Sequence, residues 1–330
     1  MQEDYPSLYI GPMSVNIVDS VIECAEESGK KIGLIPSRRQ VEYNGGYVND
    51  WKTADFAAHV RSRTDLVTLE RDHGGRLQGL HSETISYNAD ILAGRFDLIH
   101  VDPWKKFISL DEMVKVTAND IRLCDTAGPA AYEVGTEEAI HKYTSEELDY
   151  FLTKLKDDLG PIFEGVKYAV IQSGTAIVGT ENIGKFDSGR CKRMIEVCKK
   201  HGLMSKEHNG DYLTLEQVKL RYELGLDAIN IAPEFGVAET RYILNKIKDR
   251  EDLKEQFFKL CYESGKWKKW VSKDFLLTSD NKEDIIIVCG HYVFASSEFE
   301  SIKAHLGDLD SEIKSMLRSK IRSLLNCRER

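Results

Sequence analysis

The sequence predicts a (β/α)8 TIM barrel carrying a C-terminal, mainly helical extension. Three observations predict it. Short apolar, β-rich runs alternate with amphipathic helical stretches, the pattern of a parallel sheet whose crossovers are helices. Eight such strand–helix units can be marked out between Leu8 and Lys248, close to the roughly 250 residues that one barrel of this kind takes. Polar residues, histidines among them, gather at the C-terminal ends of successive strands, the end at which this architecture carries its chemistry.

The units follow in order. Strand 1 is expected over Leu8–Gly11. Ile17, Val18, Val21, Ile22 and Ala25 then recur at helical spacing in a helix over Val15–Ser28 that Gly29 terminates. Strand 2 covers Lys31–Ile35, followed by the polar loop Ser37-Arg38-Arg39-Gln40, the tight Asn44-Gly45-Gly46-Tyr47 segment and a helix over Thr53–Arg63. Strand 3, Leu66–Glu70, runs into Arg71-Asp72-His73-Gly74-Gly75 and a helix over Ser82–Ala93. Strand 4, Asp97–Val101, ends in Asp102-Pro103-Trp104, and Ser109 caps a helix to Cys124, since its hydroxyl can accept from the unpaired N–H groups of a first turn. Strand 5, Ala131–Val134, leads to Gly135-Thr136-Glu137-Glu138, and Thr144 with Glu147 forms a capping box for the next helix. Strand 6, Val166–Ile171, ends in Gln172-Ser173-Gly174 before a helix over Ser188–His201. Strand 7, Leu203–Glu207, ends in His208-Asn209-Gly210-Asp211 before a helix over Leu215–Leu224. Strand 8, Asp227–Ile231, is followed by Ala232-Pro233-Glu234-Phe235-Gly236 and a last barrel helix to Lys248. The barrel domain is therefore drawn over residues 1–248 and the appendage over 249–330, charged and mostly helical apart from the β-branched run Ile285-Ile286-Ile287-Val288.

Composition narrows the function. With a formal net charge of −9 and a pI near 5.6, the chain lacks the basic excess that a phosphate backbone or an anionic membrane surface demands, so no nucleic-acid or membrane partner is expected. No apolar run approaches the roughly 20 residues that span a bilayer, and Met1–Ile10 carries Glu3 and Asp4 with no basic leader. Seven scattered cysteines without a CxxC pair fit reduced thiols, so a cytoplasmic location is expected.

The strand ends collect Asp72, His73, His100, Asp102, Glu137, Gln172, His208 and Asp211. Neutral imidazole beside carboxylate is the donor set of Zn2+ or another divalent metal, and a catalytic zinc keeps three protein ligands and one open position. Such an ion polarises a carbonyl, and Asp72 beside it could move a proton at the breaking bond. Each residue also has a structural reading. His73 fits a turn, His100 a satisfied core histidine, Glu137 the start of a solvated helix and Asp211 a cap. Arg38, Arg39 and Arg71 suit carboxylate or phosphate recognition, or ion pairing.

These pieces resemble a known family. Gln40-Val41 with Gly45-Gly46-Tyr47, Ala54-Asp55-Phe56, Asp72-His73, Ile99-His100-Val101-Asp102, Gly135-Thr136-Glu137, Val170-Ile171-Gln172, Glu207-His208 with Asp211-Tyr212 and Thr214, and Ala232-Pro233 stand in the order found in the tagatose-bisphosphate aldolase accessory subunits (the GatZ/KbaZ type), relatives of zinc-dependent class II aldolases. The resemblance implies a metal-dependent lyase that cleaves a ketose or ketose phosphate by retro-aldol chemistry. It implies His73 and His208 as metal ligands, Glu137 as a third ligand or catalytic group, and Asp72 as the proton-transfer residue. Arg38, Gln40, His100, Asp102, Gln172 and Asp211 would contact substrate.

Two departures bear on substrate. Gln172 stands where class II aldolases generally place a third histidine, and Glu234 and Glu239 follow strand 8, where carboxylates would repel a phosphate. A sugar acid, a nucleotide-linked sugar or a differently placed phosphate would suit them. Alternative functions are a metal-dependent epimerase using the same residues, or a non-catalytic subunit stabilising a separate aldolase. A second copy of the chain and an aldolase subunit are the candidate protein partners. A sugar kinase ranks last, because no GxxxxGK[ST] phosphate loop is present.

Overall fold

The computed structural model describes residues 5–76, 78, 81–104, 109–271 and 274–328, so Glu3 and Asp4 lie outside the described residues. Eight parallel strands close into a barrel: β1 (Leu8–Ile10), β2 (Ile32–Leu34), β3 (Val67–Arg71), β4 (Leu98–Val101), β5 (Ala131–Val134), β6 (Val166–Ile171), β7 (Met204–Glu207) and β8 (Ala228–Ile231). Each pairs with the next, and β8 returns to β1 through Leu8 opposite Ile229 and Ile10 opposite Ile231. The helices between them are α1 (Val15–Ser28), α2 (Thr53–Arg61), α3 (Glu83–Asn88), α4 (Leu110–Asp125), α5 (Ser145–Leu159), α6 (Ser188–Lys200), α7 (Leu215–Glu223) and α8 (Pro233–Lys246). The sequence expectations for caps hold. Gly29 ends α1 at φ 65°, and Ser109–Glu112 and Thr144–Glu147 form capping boxes.

Three details escaped the periodicity. The helix expected over Ser82–Ala93 is α3 followed by a π-helical turn over Ala89–Ala93. A small hairpin, Ile177–Val178 with Glu181–Asn182, extends the loop after β6. Ile285–Val288 is not a strand but lies in a helix, because its β-branched face is buried against other helices, and tertiary contact overrides the local preference.

The extension comprises α9 (Glu251–Ser264), α10 (Lys282–Cys289), α11 (Ser297–Lys303) and α12 (Leu309–Asn326). Ile313, Leu317, Ile321 and Leu324 form a buried stripe along α12, which packs on α1, α7 and α8, and the apolar core runs without a break from barrel into extension. At this seam Ser14 and Asn16 of α1 hold the Glu239 carboxylate of α8, and Asn16 also donates to Asp310 at 2.9 Å. These groups border a cavity of about 460 Å3 that His291 also lines. Among the described residues no single helix is long and apolar enough to cross a membrane. All seven cysteines are buried and unpaired with one another.

Burial raises the Glu239 carboxyl to about 7 even though Ser14 and Asn16 both donate to it. An exposed glutamate in the unfolded chain titrates near 4.3. Between those values the folded chain holds a proton that the unfolded chain has released. The group therefore costs stability increasingly as pH rises through this window, and the full cost persists above it. Glu239→Gln is expected to match the wild type in urea unfolding near pH 4 and to exceed it by roughly 3–4 kcal/mol near pH 8. Parallel stability profiles for the two proteins would contradict this.

Candidate metal centre

The site is built from strand ends, but strand interiors aim it. His73 follows β3 in a left-handed conformation, φ 47°, which β-strand geometry does not supply and which turns its ring back over the barrel mouth. Gly75 makes the turn feasible, since a Cβ there would lie 2.7 Å from the Asp102 backbone. The His73 and His100 rings lie 5.2 Å apart between centroids, His100 and His208 4.8 Å, and His73 and His208 5.9 Å. The two imidazoles singled out as ligands, far apart in the chain, are thus neighbours.

Each candidate ligand is oriented by a buried carboxylate. His73 Nδ1 lies 2.6 Å from Asp102 Oδ2. Burial would raise the Asp102 carboxyl, but the hydrogen bond and charge of His73 hold it below the usual range. An ionised carboxylate only accepts, so the proton sits on Nδ1 and Nε2 is left for a cation. His208 is the mirror case, with Nε2 2.5 Å from Glu133 Oε1. Glu133 is also kept well below the ordinary range despite burial, chiefly by Lys206 and then by His100 and His208. His208 therefore presents Nδ1. Glu137 Oε2 stands 3.6 Å from His73 Nε2 and 3.8 Å from His208 Nδ1. That oxygen is buried with no hydrogen-bond partner, as is Asp72 Oδ1. Burial would lower the His73 imidazole, but Asp72 and Glu137 raise it well above its ordinary value, so without a metal this ring favours a second proton. Two imidazoles and an orphaned carboxylate oxygen around one point fit a divalent cation in place of that proton.

Asp72 flanks this set. Its Oδ2 is 3.8 Å from His73 Nε2 and its Oδ1 3.5 Å from His100 Nδ1. Burial would raise its pKa, but His73, His100 and His208 together hold the carboxyl well below the usual range, so at rest it is a proton acceptor. His100 is itself wholly buried, with Nε2 2.9 Å from the Gly135 carbonyl and Nδ1 3.3 Å from the His73 backbone N–H. It thereby ties the loops after β3 and β5 together.

Beneath these rings lies a group that sequence reading missed. Lys206 of β7 is 0% exposed, lies 2.6 Å from Glu133 Oε2 and also bonds Glu70 of β3. The Tyr9 ring covers its ammonium at 3.5 Å. Gly33 makes room for that ring, since a Cβ there would lie 1.9 Å from it. The available signal was a charged residue inside a strand expected to be buried, as in Leu69-Glu70, Tyr132-Glu133 and Ser205-Lys206. Each such charge must find a buried partner.

Several expected substrate contacts are corrected. Arg38 is 5% exposed, and its guanidinium is committed to Asp90, Glu42 and the Gly74 carbonyl. Arg71 is wholly buried on the same Asp90, 2.6 Å away. The π-helical turn at Ala89–Ala93 brings Asp90 between them, and the ion-pair reading of both arginines is the one realised. Gln40 braces its own loop, accepting from the Ser37 N–H at 2.7 Å. Gln172 accepts from Tyr143 N–H and Arg190 and donates to the Thr136 and His141 carbonyls, which leaves it no free donor for a ligand. Asp211 caps α8 through the Ala232 and Glu234 N–H groups, and burial raises its carboxyl to about 7. Glu234 pairs with Lys320 and Glu239 is buried, so neither carboxylate stands open to a phosphate. In the extension, His291 is packed inside the fold. It is buried against Gly236, both ring nitrogens unpartnered, and burial pushes its imidazole down to about 3. Lys269 lies over the Trp270 and Tyr292 rings.

No family model and no curated protein sequence matches the chain. Solved structures do. A protein described as a probable tagatose 6 phosphate kinase from Sinorhizobium meliloti 1021 has a TM-score of 0.74 at 16% identity, covering 96% of this chain and 93% of its own. Fructose-bisphosphate aldolase from Campylobacter jejuni has a TM-score of 0.61 at 13% identity, covering 98% and 90%. The YdjI aldolase from Escherichia coli K12 has a TM-score of 0.54 at 16% identity, covering 94% of each chain. What these likenesses establish, together with the closed ring of strands, is that the chain is a (β/α)8 barrel of the architecture also built by aldolases.

Proposed function

We propose that this chain is a divalent-metal-dependent, aldolase-type lyase that cleaves a carbon–carbon bond of a ketose or ketose phosphate. The observation that carries the reading is the paired orientation of His73 and His208 by Asp102 and Glu133, which leaves one nitrogen of each facing the unpartnered Glu137 oxygen. Zn2+ suits two imidazoles and a carboxylate. When bound, the cation supplies a Lewis acid that polarises the substrate carbonyl and stabilises the negative charge developing on its oxygen. Asp72, ionised at rest, takes the proton from the hydroxyl on the carbon beyond the breaking bond. The electron pair of that O–H becomes the new carbonyl and the carbon–carbon pair flows toward the ketone as an enediolate. Its carbon then takes a proton from water while Asp72 gives its proton back to solvent, so the hydroxyl proton ends, net, on carbon; the condensation runs the same steps in reverse. Asp102 and Glu133 hold the two imidazoles still while charge moves.

A groove of about 970 Å3 between the loops after β5 and β6 is bordered by Lys142, Lys185, Arg190 and Arg193 and by as many carboxylates, Glu138, Glu146, Glu147 and Asp187, so its lining does not by itself select a phosphorylated over a free ketose. The test is direct. Zinc-loaded protein incubated with ketose monophosphates, ketose bisphosphates and free ketoses is expected to release triose products from at least one of them. EDTA should stop the release and added Zn2+ restore it. Metal-replete protein that cleaves none of them would overturn the lyase reading and point to a non-catalytic subunit.

A further inference from the structure

We infer that Lys206 acts as a built-in counter-cation that keeps the metal ion in the outer of the two donor sets that share His208. The inference rests on the metal reading proposed above. The outer set is His73, Glu137 and His208, and the inner set is His100, Glu133 and His208, with the donor atoms of each set within 4.8 Å of one another. Both count two imidazoles and one carboxylate, but in the inner set His100 already donates Nε2 to the Gly135 carbonyl and accepts at Nδ1 from the His73 N–H, bonds that an ion there would have to displace. They share His208, so one ion at a time can use it.

Lys206 adds to this bias against the inner set in two ways. Its ammonium lies 2.6 Å from Glu133 Oε2 and is wholly buried, with Glu70 as second partner and the Tyr9 and Tyr168 rings 3.5 and 4.9 Å from it. A dication in the inner set would share Glu133 with that ammonium where no solvent screens the repulsion. The same contact holds the other Glu133 oxygen on His208 Nε2, 2.5 Å away, so that Nδ1 turns to the outer set. Lys206 touches neither the ion nor a substrate. It is a positioning residue working through Glu133.

The test uses Zn2+ alone, in competition with a chelator, and the visible spectrum of the Co2+-substituted full chain. Wild type is expected to bind one ion. Lys206→Met with Glu70→Gln, which removes the ammonium together with one of its carboxylates, is expected to bind Zn2+ at least tenfold tighter with a shifted cobalt spectrum. Adding Glu133→Gln should restore the wild-type spectrum. Lys206→Arg, which keeps the charge, should look like wild type throughout. A folded double variant with wild-type affinity and spectrum would overturn the role of Lys206, and so would a folded Lys206→Arg with an altered spectrum. Wild type that binds no ion would instead overturn the metal centre itself.

Discussion

His208→Ala is expected to weaken zinc binding by roughly a hundredfold or more, since removal of a group that merely orients a ligand already costs 10–100-fold. His208 belongs to two of the three candidate donor sets, and in the third, Asp72 with His73 and His100, both His100 nitrogens are already hydrogen-bonded. Removal of His208 also strands Glu133 Oε1, which is fully buried and bonded to the ring at 2.5 Å. A stability loss of about 1–3 kcal/mol should therefore accompany the metal loss. His73→Ala should act in the same direction on metal. There the orienting carboxylate Asp102 keeps the Trp104 backbone N–H as a partner, 3.4 Å away. Chelator competition on the purified variants measures both effects. A zinc affinity within about threefold of wild type for either variant would be incompatible with a ligand role.

Asp72→Asn separates chemistry from metal binding. The substitution keeps size and removes the charge that sits 3.8 Å from His73 Nε2 and 3.5 Å from His100 Nδ1. If Asp72 is the group that takes the hydroxyl proton, kcat should fall roughly 10²–10⁴-fold, the usual worth of a positioned proton acceptor. Zinc content should stay at the wild-type level when the ion sits in the set of His73, Glu137 and His208 and not in the overlapping set of Asp72, His73 and His100. A variant that loses zinc and activity together would move Asp72 into the ligand set. One that keeps both would remove it from the chemistry.

The barrel was legible because its signal is local. Apolar runs such as Leu98–Val101 and Val166–Ile171, with capped helices between them, show their period within a few residues, and one closed ring satisfies all eight. His73 and His208 were legible because strand-end position is a property of the chain order. What decides their usefulness was not. Glu133 orients His208 across 75 positions, and Lys206 meets Glu70 across 136, pairings that no spacing announces. Arg38 and Arg71 looked free for a phosphate because Asp90, the residue that claims both, enters through a π-helical turn with no signature in the periodicity. Gln172 looked like a gap in the ligand set. Its amide instead holds the loop that carries Glu137. The Ile285–Val288 run misled for the opposite reason, a strong local preference set aside by burial among helices.

The central claim is that two histidines and one glutamate converge on a single divalent cation, and anomalous diffraction at the zinc edge from crystals grown with Zn2+ tests it most directly. One strong peak is expected about 2.0–2.1 Å from His73 Nε2 and His208 Nδ1, with a Glu137 oxygen at about 2.0–2.2 Å. No peak between those rings, or a peak held only by surface carboxylates, would contradict it.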